Sequence, residues 1–198
     1  MFSTTKLPAE ASFSQASLVI DQSESMFESK HIEIVRAAII TAFTNYVIDC
    51  NNVQFDYVAW GGTVLSTISV KLTSQVALDD YTVKLYETSH ARLGSTIHSL
   101  GVSAAVKQLN ISKAQNKVMI FITDGVSINK KDLLLGQTIP ADIKVFTISL
   151  GRVEVSQFVQ MNIMPASGGV HYHANNADEL QLKIEEVFKT AKTDICVS

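Results

Sequence analysis

The chain has 198 residues, 46% of them hydrophobic, which is enough apolar surface for one sizeable core and a single domain. Sixteen basic residues against nineteen acidic ones leave a net charge of -3, so nothing in the balance favours a nucleic acid or an anionic membrane as partner. No run is apolar enough to insert into a membrane, and the polar N-terminus lacks the basic and apolar regions of a signal peptide.

Residues 1–14 read as a leader, followed by one domain over 15–196. The first strand falls at about 16–21, where Leu18-Val19-Ile20 runs into Asp21-Gln22-Ser23-Glu24-Ser25. In an open parallel sheet, ligands sit at the carboxyl ends of the strands, which places Asp21 at that edge. Ser23 and Ser25 follow at two and four positions, so one turn of chain can aim three oxygens at a common centre. A carboxylate with neutral hydroxyls suits a hard divalent cation such as Mg²⁺ or Ca²⁺. Taken alone, the same three residues also read as an Asx or Ser turn capping the next helix.

From Ser29 to Asp49, Ile32, Val35, Ile39, Phe43, Tyr46, Val47 and Cys50 recur at three- and four-residue steps, predicting an amphipathic helix. Gln54–Trp60 and Thr63–Val70 are β-rich runs divided by Gly61-Gly62, a hairpin signal that sets one strand antiparallel to the rest. Residues 75–87 suggest a short helix or an irregular segment, and His90–Ser95 leads back to the ligand edge. After Thr96, a stripe of Ile97, Leu100, Ala104, Ala105 and Leu109 predicts another helix. Lys117–Thr123 is almost unbroken in hydrophobicity, as a parallel strand covered on both faces requires, and it too ends in an aspartate, Asp124. Helix is predicted at Lys130–Leu135 and Glu154–Met161, strand at Ile143–Leu150 and Val170–His173, and a last helix from Ala177 to about Asp194. His171 and His173 share a face of their strand, but with no third ligand nearby they read as ordinary surface or half-buried histidines rather than a metal pair. The alternation predicts an α/β fold, doubly wound, with a mostly parallel central sheet of about six strands, one antiparallel edge strand, and helices on both faces.

Three loop tips in this arrangement end in hard oxygen donors. Asp21-x-Ser23-x-Ser25, Thr96 and Thr123-Asp124-Gly125 resemble the three parts of the metal-ion-dependent adhesion site of the von Willebrand factor type A domain, shared with integrin inserted domains, and they stand in that family's order. The resemblance covers roughly residues 15–195. It implies that Ser23, Ser25 and Thr96 offer hydroxyls to a metal, Mg²⁺ or else Mn²⁺ or Ca²⁺, while Asp21 and Asp124 bind it directly or through water. It also implies a vacant coordination position that a protein partner fills with an acidic side chain. One departure stands out: Ile97-His98-Ser99 follows the threonine where the family usually has Asn-Thr-Gly.

The two cysteines, Cys50 and Cys196, close the first and last predicted helices, and both helices run back from the ligand edge. The resemblance makes those helices neighbours on one sheet face, so a bridge between them is geometrically allowed. Closing a loop of about 150 residues would stabilise the fold by roughly 4 to 5 kcal/mol on the chain-entropy model. The alternative is a buried free thiol at Cys50 and an unpaired one near the terminus. Asn110-Ile111-Ser112 has the pattern of a glycosylation acceptor, too common by chance to decide the compartment.

Enzyme chemistry finds little footing. The chain lacks Gly-x-Gly-x-x-Gly, the phosphate-loop pattern and Gly-x-Ser-x-Gly, and Ser23 stands where an aspartyl-phosphate enzyme carries its second aspartate. His98 near the proposed metal has no evident nucleophile and is read as shaping the ligand face. Two functional expectations follow. The first is an extracellular or cell-surface module that binds a protein through a divalent metal; the second is an intracellular, cytoplasmic scaffold of the same fold that binds its partner through another face, with a structural or vestigial metal.

Overall fold

The computed structural model describes residues 12–196 apart from 51, 73, 89–92 and 128. Most of the predicted leader, residues 1–11, and part of the His90–Ser95 lead-in lie outside the described residues. Six strands, β1 (Ser14–Asp21), β2 (Val53–Trp60), β3 (Val64–Leu72), β4 (Asn116–Thr123), β5 (Ile143–Leu150) and β6 (Val170–Ala174), form one sheet in the order β3-β2-β1-β4-β5-β6. Only the β2–β3 pairing is antiparallel, as the glycine break at Gly61-Gly62 predicts; the other four pairings are parallel.

Strand β1 lies at the centre, and every one of its residues is buried. Successive side chains point to opposite faces, so Leu18 and Ile20 enter one core and Val19 the other. The larger core is closed by α2 (His31–Ala42), α3 (Gln75–Thr88) and α6 (Ala177–Ile195), which contribute Ile32, Val35, Ile39, Tyr81, Ile184 and Phe188. The smaller is closed by α4 (His98–Ile111) and α5 (Val153–Asn162), through Val102, Ala105, Leu109 and Val159. The predicted inward stripe of α6, Leu180, Ile184, Val187, Phe188, Ala191 and Ile195, is wholly buried. No helix among the described residues is long and apolar enough to cross a membrane.

The connections after β1 and β4 leave in opposite directions along the sheet, toward β2 and toward β5. That is a topological switch point, where the loops splay and leave a crevice at the carboxyl ends of the strands. Both aspartate-bearing loops emerge there.

The structure corrects several boundaries. The helix predicted from Ser29 begins two residues later, at His31, and a separate short helix that the sequence did not announce precedes it. A one-turn α1 (Glu24–Glu28) ends at Ser29, Lys30 adopts a left-handed conformation with φ 58°, and α2 begins afresh at His31. Its last part, Phe43–Val47, widens into a π turn. Helix α4 starts at His98 and buries His98, Gly101, Val102, Ala105 and Leu109, so its inward face is rotated from the predicted stripe. Gly101 permits that packing, since a Cβ there would lie 2.5 Å from the Trp60 indole. The helix predicted at Lys130–Leu135 is two short 3-10 turns, Lys130–Asp132 and Leu135–Thr138.

At the edge opposite the crevice, Cys50 and Cys196 form a disulfide with their Cα atoms 5.0 Å apart. It joins the turn after the π segment to the end of α6, which packs alongside α2.

Candidate metal centre

Asp21, the last residue of β1, is completely buried. Its Oδ1 accepts the backbone N–H of Ser23 at 2.8 Å and its Oδ2 accepts the Thr123 hydroxyl at 2.5 Å, which ties the ends of β1 and β4 together. The Ser23 and Ser25 hydroxyl oxygens lie 3.1 Å apart, and Ser25 Oγ donates to Asp124 Oδ1 at 2.6 Å. Thr96 joins from the second segment: a Cβ added to Gly125 would fall 2.7 Å from Thr96 Oγ1, so only glycine lets the two loops approach this closely. The segment before Thr96 is stitched to the first loop through Leu93 N–H to Gln22 O and Glu24 N–H to Gly94 O, each at 3.0 Å. All five predicted residues, Asp21, Ser23, Ser25, Thr96 and Asp124, thus come to one end of the sheet.

The chemistry of this donor set suits a divalent cation. The oxygen separations resemble the roughly 3 Å spacing of neighbouring ligands around an ion with bonds of about 2.1 Å. Among the described residues, no group of His, Cys, Asp and Glu side chains alone makes a metal site, so a cation here depends on the hydroxyls. Electrostatics points the same way. Burial pushes Asp21 up to about 7, the charge of Asp124 adds to the rise, and hydrogen bonds from Thr123 and Ser23 oppose it. A cation among these oxygens would reverse that bias and favour the ionised carboxylate.

The sequence matches the family model of the von Willebrand factor type A domain over residues 17–189. The chain belongs to that family. Among solved structures it is similar to a von Willebrand factor type A protein from Catenulispora acidiphila, at 16% identity and TM-score 0.68, covering 92% of this chain and 43% of that one. It also resembles the pilus adhesin SpaC from Lactobacillus rhamnosus GG, at 15% identity and TM-score 0.68, covering 93% and 31%. A third likeness is to proximal thread matrix protein 1 from the mussel byssus with a zinc-occupied metal-ion-dependent adhesion site, at 15% identity and TM-score 0.68, covering 92% and 46%. The chain therefore spans less than half the length of each of these proteins, and at such identities the likeness concerns the fold. No curated protein matches the chain by sequence.

Within this von Willebrand factor type A domain, His98 occupies the place where the usual Asn-Thr-Gly sequence departs. It is fully buried and does not reach the ligand face, contrary to the expectation from sequence. Its ring packs among Trp60, Phe121 and Phe158 with centroids 5.1 to 5.5 Å away, and its Nε2 lies 3.4 Å from Thr123 Oγ1. Burial pulls its pKa down to about 4 against the opposing charge of Asp132, so the ring is neutral and acts as part of the core. Asp132 itself is a site residue that the sequence did not reveal. Its carboxylate accepts the backbone N–H groups of His98 at 2.7 Å and Ser99 at 2.8 Å, which caps α4 in place of Ile97, a residue with no side-chain acceptor.

His31 was likewise missed. Its Nδ1 lies 3.0 Å from Asp124 Oδ2, across 93 positions of sequence. No local pattern marks such a contact. The pair on β6, by contrast, behaves as the sequence reading favoured. His171 Nδ1 is 2.7 Å from Thr147 Oγ1 and its Nε2 is 2.9 Å from Ser156 Oγ, while His173 Nδ1 is 2.9 Å from Ser149 Oγ. These three nitrogens are engaged by hydroxyls of β5 and α5, while His173 Nε2 is buried with no hydrogen-bond partner among the described residues.

Proposed function

We propose that this domain is a protein-binding module that works through a divalent metal, Mg²⁺ or else Mn²⁺ or Ca²⁺, held by Asp21, Ser23, Ser25, Thr96 and Asp124. The observation that carries this reading is the 2.6 Å contact from Ser25 Oγ to Asp124 Oδ1, which brings a hydroxyl of the first loop onto the carboxylate of the third across 99 positions of sequence. An ion surrounded mostly by neutral hydroxyls retains much of its positive charge. A Glu or Asp side chain from a partner protein then gains a strong, directional oxygen contact, and affinity depends on the metal. Binding rather than catalysis is the reading, because the hydroxyls at the centre serve as the metal's ligands in it and the neighbouring His31 ring faces the Asp124 carboxylate.

The disulfide supports an extracellular or cell-surface setting, since such bonds persist in oxidising compartments. It favours this over the cytoplasmic scaffold, which calls for two free thiols. Adhesin and byssal matrix proteins among the structural relatives are compatible with that setting.

Calorimetry on the wild-type chain is expected to register uptake of Mg²⁺ or Mn²⁺, and Asp21→Ala is expected to abolish it while the domain stays folded. In a screen of protein ligands run with Mg²⁺ and with a chelator, chelation should remove the captured partner. Capture that survives both chelation and Asp21→Ala would reject the reading.

A further inference from the structure

We propose that His31 is a positioning residue for the metal centre, holding the Asp124 carboxylate so that one oxygen faces the hydroxyl loop and the ion. This rests on the metal-binding reading above.

The two oxygens of Asp124 have separate duties. Oδ1 accepts the Ser25 hydroxyl at 2.6 Å, on the side of the metal loop, and Oδ2 faces His31 Nδ1 at 3.0 Å. A carboxylate in this position only accepts, so Nδ1 carries the hydrogen and donates it. The Asp124 side chain is 5% exposed and that of His31 19%, so the contact is largely shielded from competing water. With Oδ2 held, rotation of the carboxylate about its Cβ–Cγ bond is restrained and Oδ1 stays directed at Ser25.

His31 is itself held in place by the backbone. Ser29 N–H donates to Ser25 O at 3.1 Å and Lys30 N–H to Phe27 O at 3.0 Å, closing the turn that follows α1. The left-handed Lys30 then redirects the chain so that the first residue of α2 arrives beside Asp124. The turn that carries Ser25 is therefore the same turn that delivers His31. Outer partners of metal-binding groups act through orientation of this kind, and their loss typically weakens metal affinity by about 10- to 100-fold.

The experiment is calorimetric titration of the intact, oxidised chain with Mn²⁺, comparing wild type with His31→Ala, His31→Asn and His31→Leu. His31→Ala is expected to bind Mn²⁺ about 10- to 100-fold more weakly. His31→Asn places an N–H at the same reach from Cβ as Nδ1 and is expected to restore affinity to within about threefold of wild type, by keeping the outer hydrogen bond. His31→Leu, of nearly the same shape as asparagine but without a donor, should behave like alanine. The asparagine and leucine pair decides the matter even if alanine fails to fold. Equal affinity in wild type and His31→Leu, or equal weakness in Asn and Leu variants, overturns the role of His31 and leaves the metal centre standing. No uptake by the wild-type chain removes the metal reading itself, and the proposal with it.

Discussion

At the carboxyl edge of the sheet, Asp21, Ser23, Ser25 and Asp124 crowd oxygen donors into a crevice and burial pushes Asp21 up to about 7, whereas at the opposite edge a disulfide ties the end of α6 to the turn after α2. The first end carries an electrostatic cost: a carboxylate withdrawn from water and set near another. The second relieves the folded state of competition by restricting the unfolded chain. Strain at a functional site is tolerated when the remainder of the fold supplies stability, and here the two lie at opposite ends of the same strands.

The disulfide is the most direct way to break that comparison. The bond spans 146 positions of sequence, and on the chain-entropy model its loss costs about 4 to 5 kcal/mol. A Cys50→Ser, Cys196→Ser variant should show this in urea unfolding. Because the bond sits at the opposite edge of the sheet from the loops proposed to hold the metal, Mn²⁺ affinity in native buffer should stay within about twofold of wild type, as expected for distant, independent sites. A tenfold loss would mean that tethering α6 acts on the loops and that the two ends are coupled.

Gly125→Ala tests the other end alone. The added Cβ would meet Thr96 Oγ1 at 2.7 Å and Thr96 Cγ2 at 3.2 Å, so the Thr96 segment must shift away from Asp124. The domain should melt with a loss of about 1 kcal/mol, at the low end for overpacking, because the contact lies in a half-buried loop. Metal affinity should fall by tenfold or more, since the Thr96 hydroxyl leaves the cluster; calorimetry against a thermal melt in chelator separates the two effects. Stability lost with affinity intact would show that Thr96 is not a metal ligand.

How far the sequence foretold this arrangement differs by element. β1 and β4 were legible because a continuous apolar run ending in aspartate is a local signal of a doubly covered strand, and the stripe of α6 was legible because its period is unbroken. The meeting of Asp21, Ser23, Ser25, Thr96 and Asp124 was foreseen through their resemblance to a known pattern. Contacts made at long range were not. His31 meets Asp124 across 93 positions and Asp132 caps α4 from 34 positions away, and neither partner carries a mark of the other in its neighbourhood. The turns at Lys30 and Leu134 were hidden for a related reason. Both have φ 58°, a conformation announced by glycine or asparagine where local preference decides; here both side chains are exposed and hydrogen bonds hold the turns instead, from Lys30 N–H to Phe27 O and from Leu134 N–H to Asn162 Oδ1.

Lys30 yields the smallest expected effect and the finest comparison. A side chain in the left-handed region costs about 1 to 2 kcal/mol in steric strain, which glycine does not incur. Glycine in turn loses more backbone freedom on folding, by roughly 0.5 to 1 kcal/mol. Lys30→Gly should therefore stabilise the domain by a net gain of roughly 0.5 to 1 kcal/mol, read as a higher urea midpoint at unchanged slope. The bonds from Ser29 and Lys30 back to Ser25 and Phe27 are made by the backbone and survive the substitution, so His31 should still reach Asp124 and Mn²⁺ affinity should hold. A gain in stability accompanied by a loss of affinity would carry a different meaning: the rigidity of Lys30, rather than the hydrogen bonds of the turn, would then be what keeps His31 on Asp124, and the strain at this residue would belong to the metal end of the molecule.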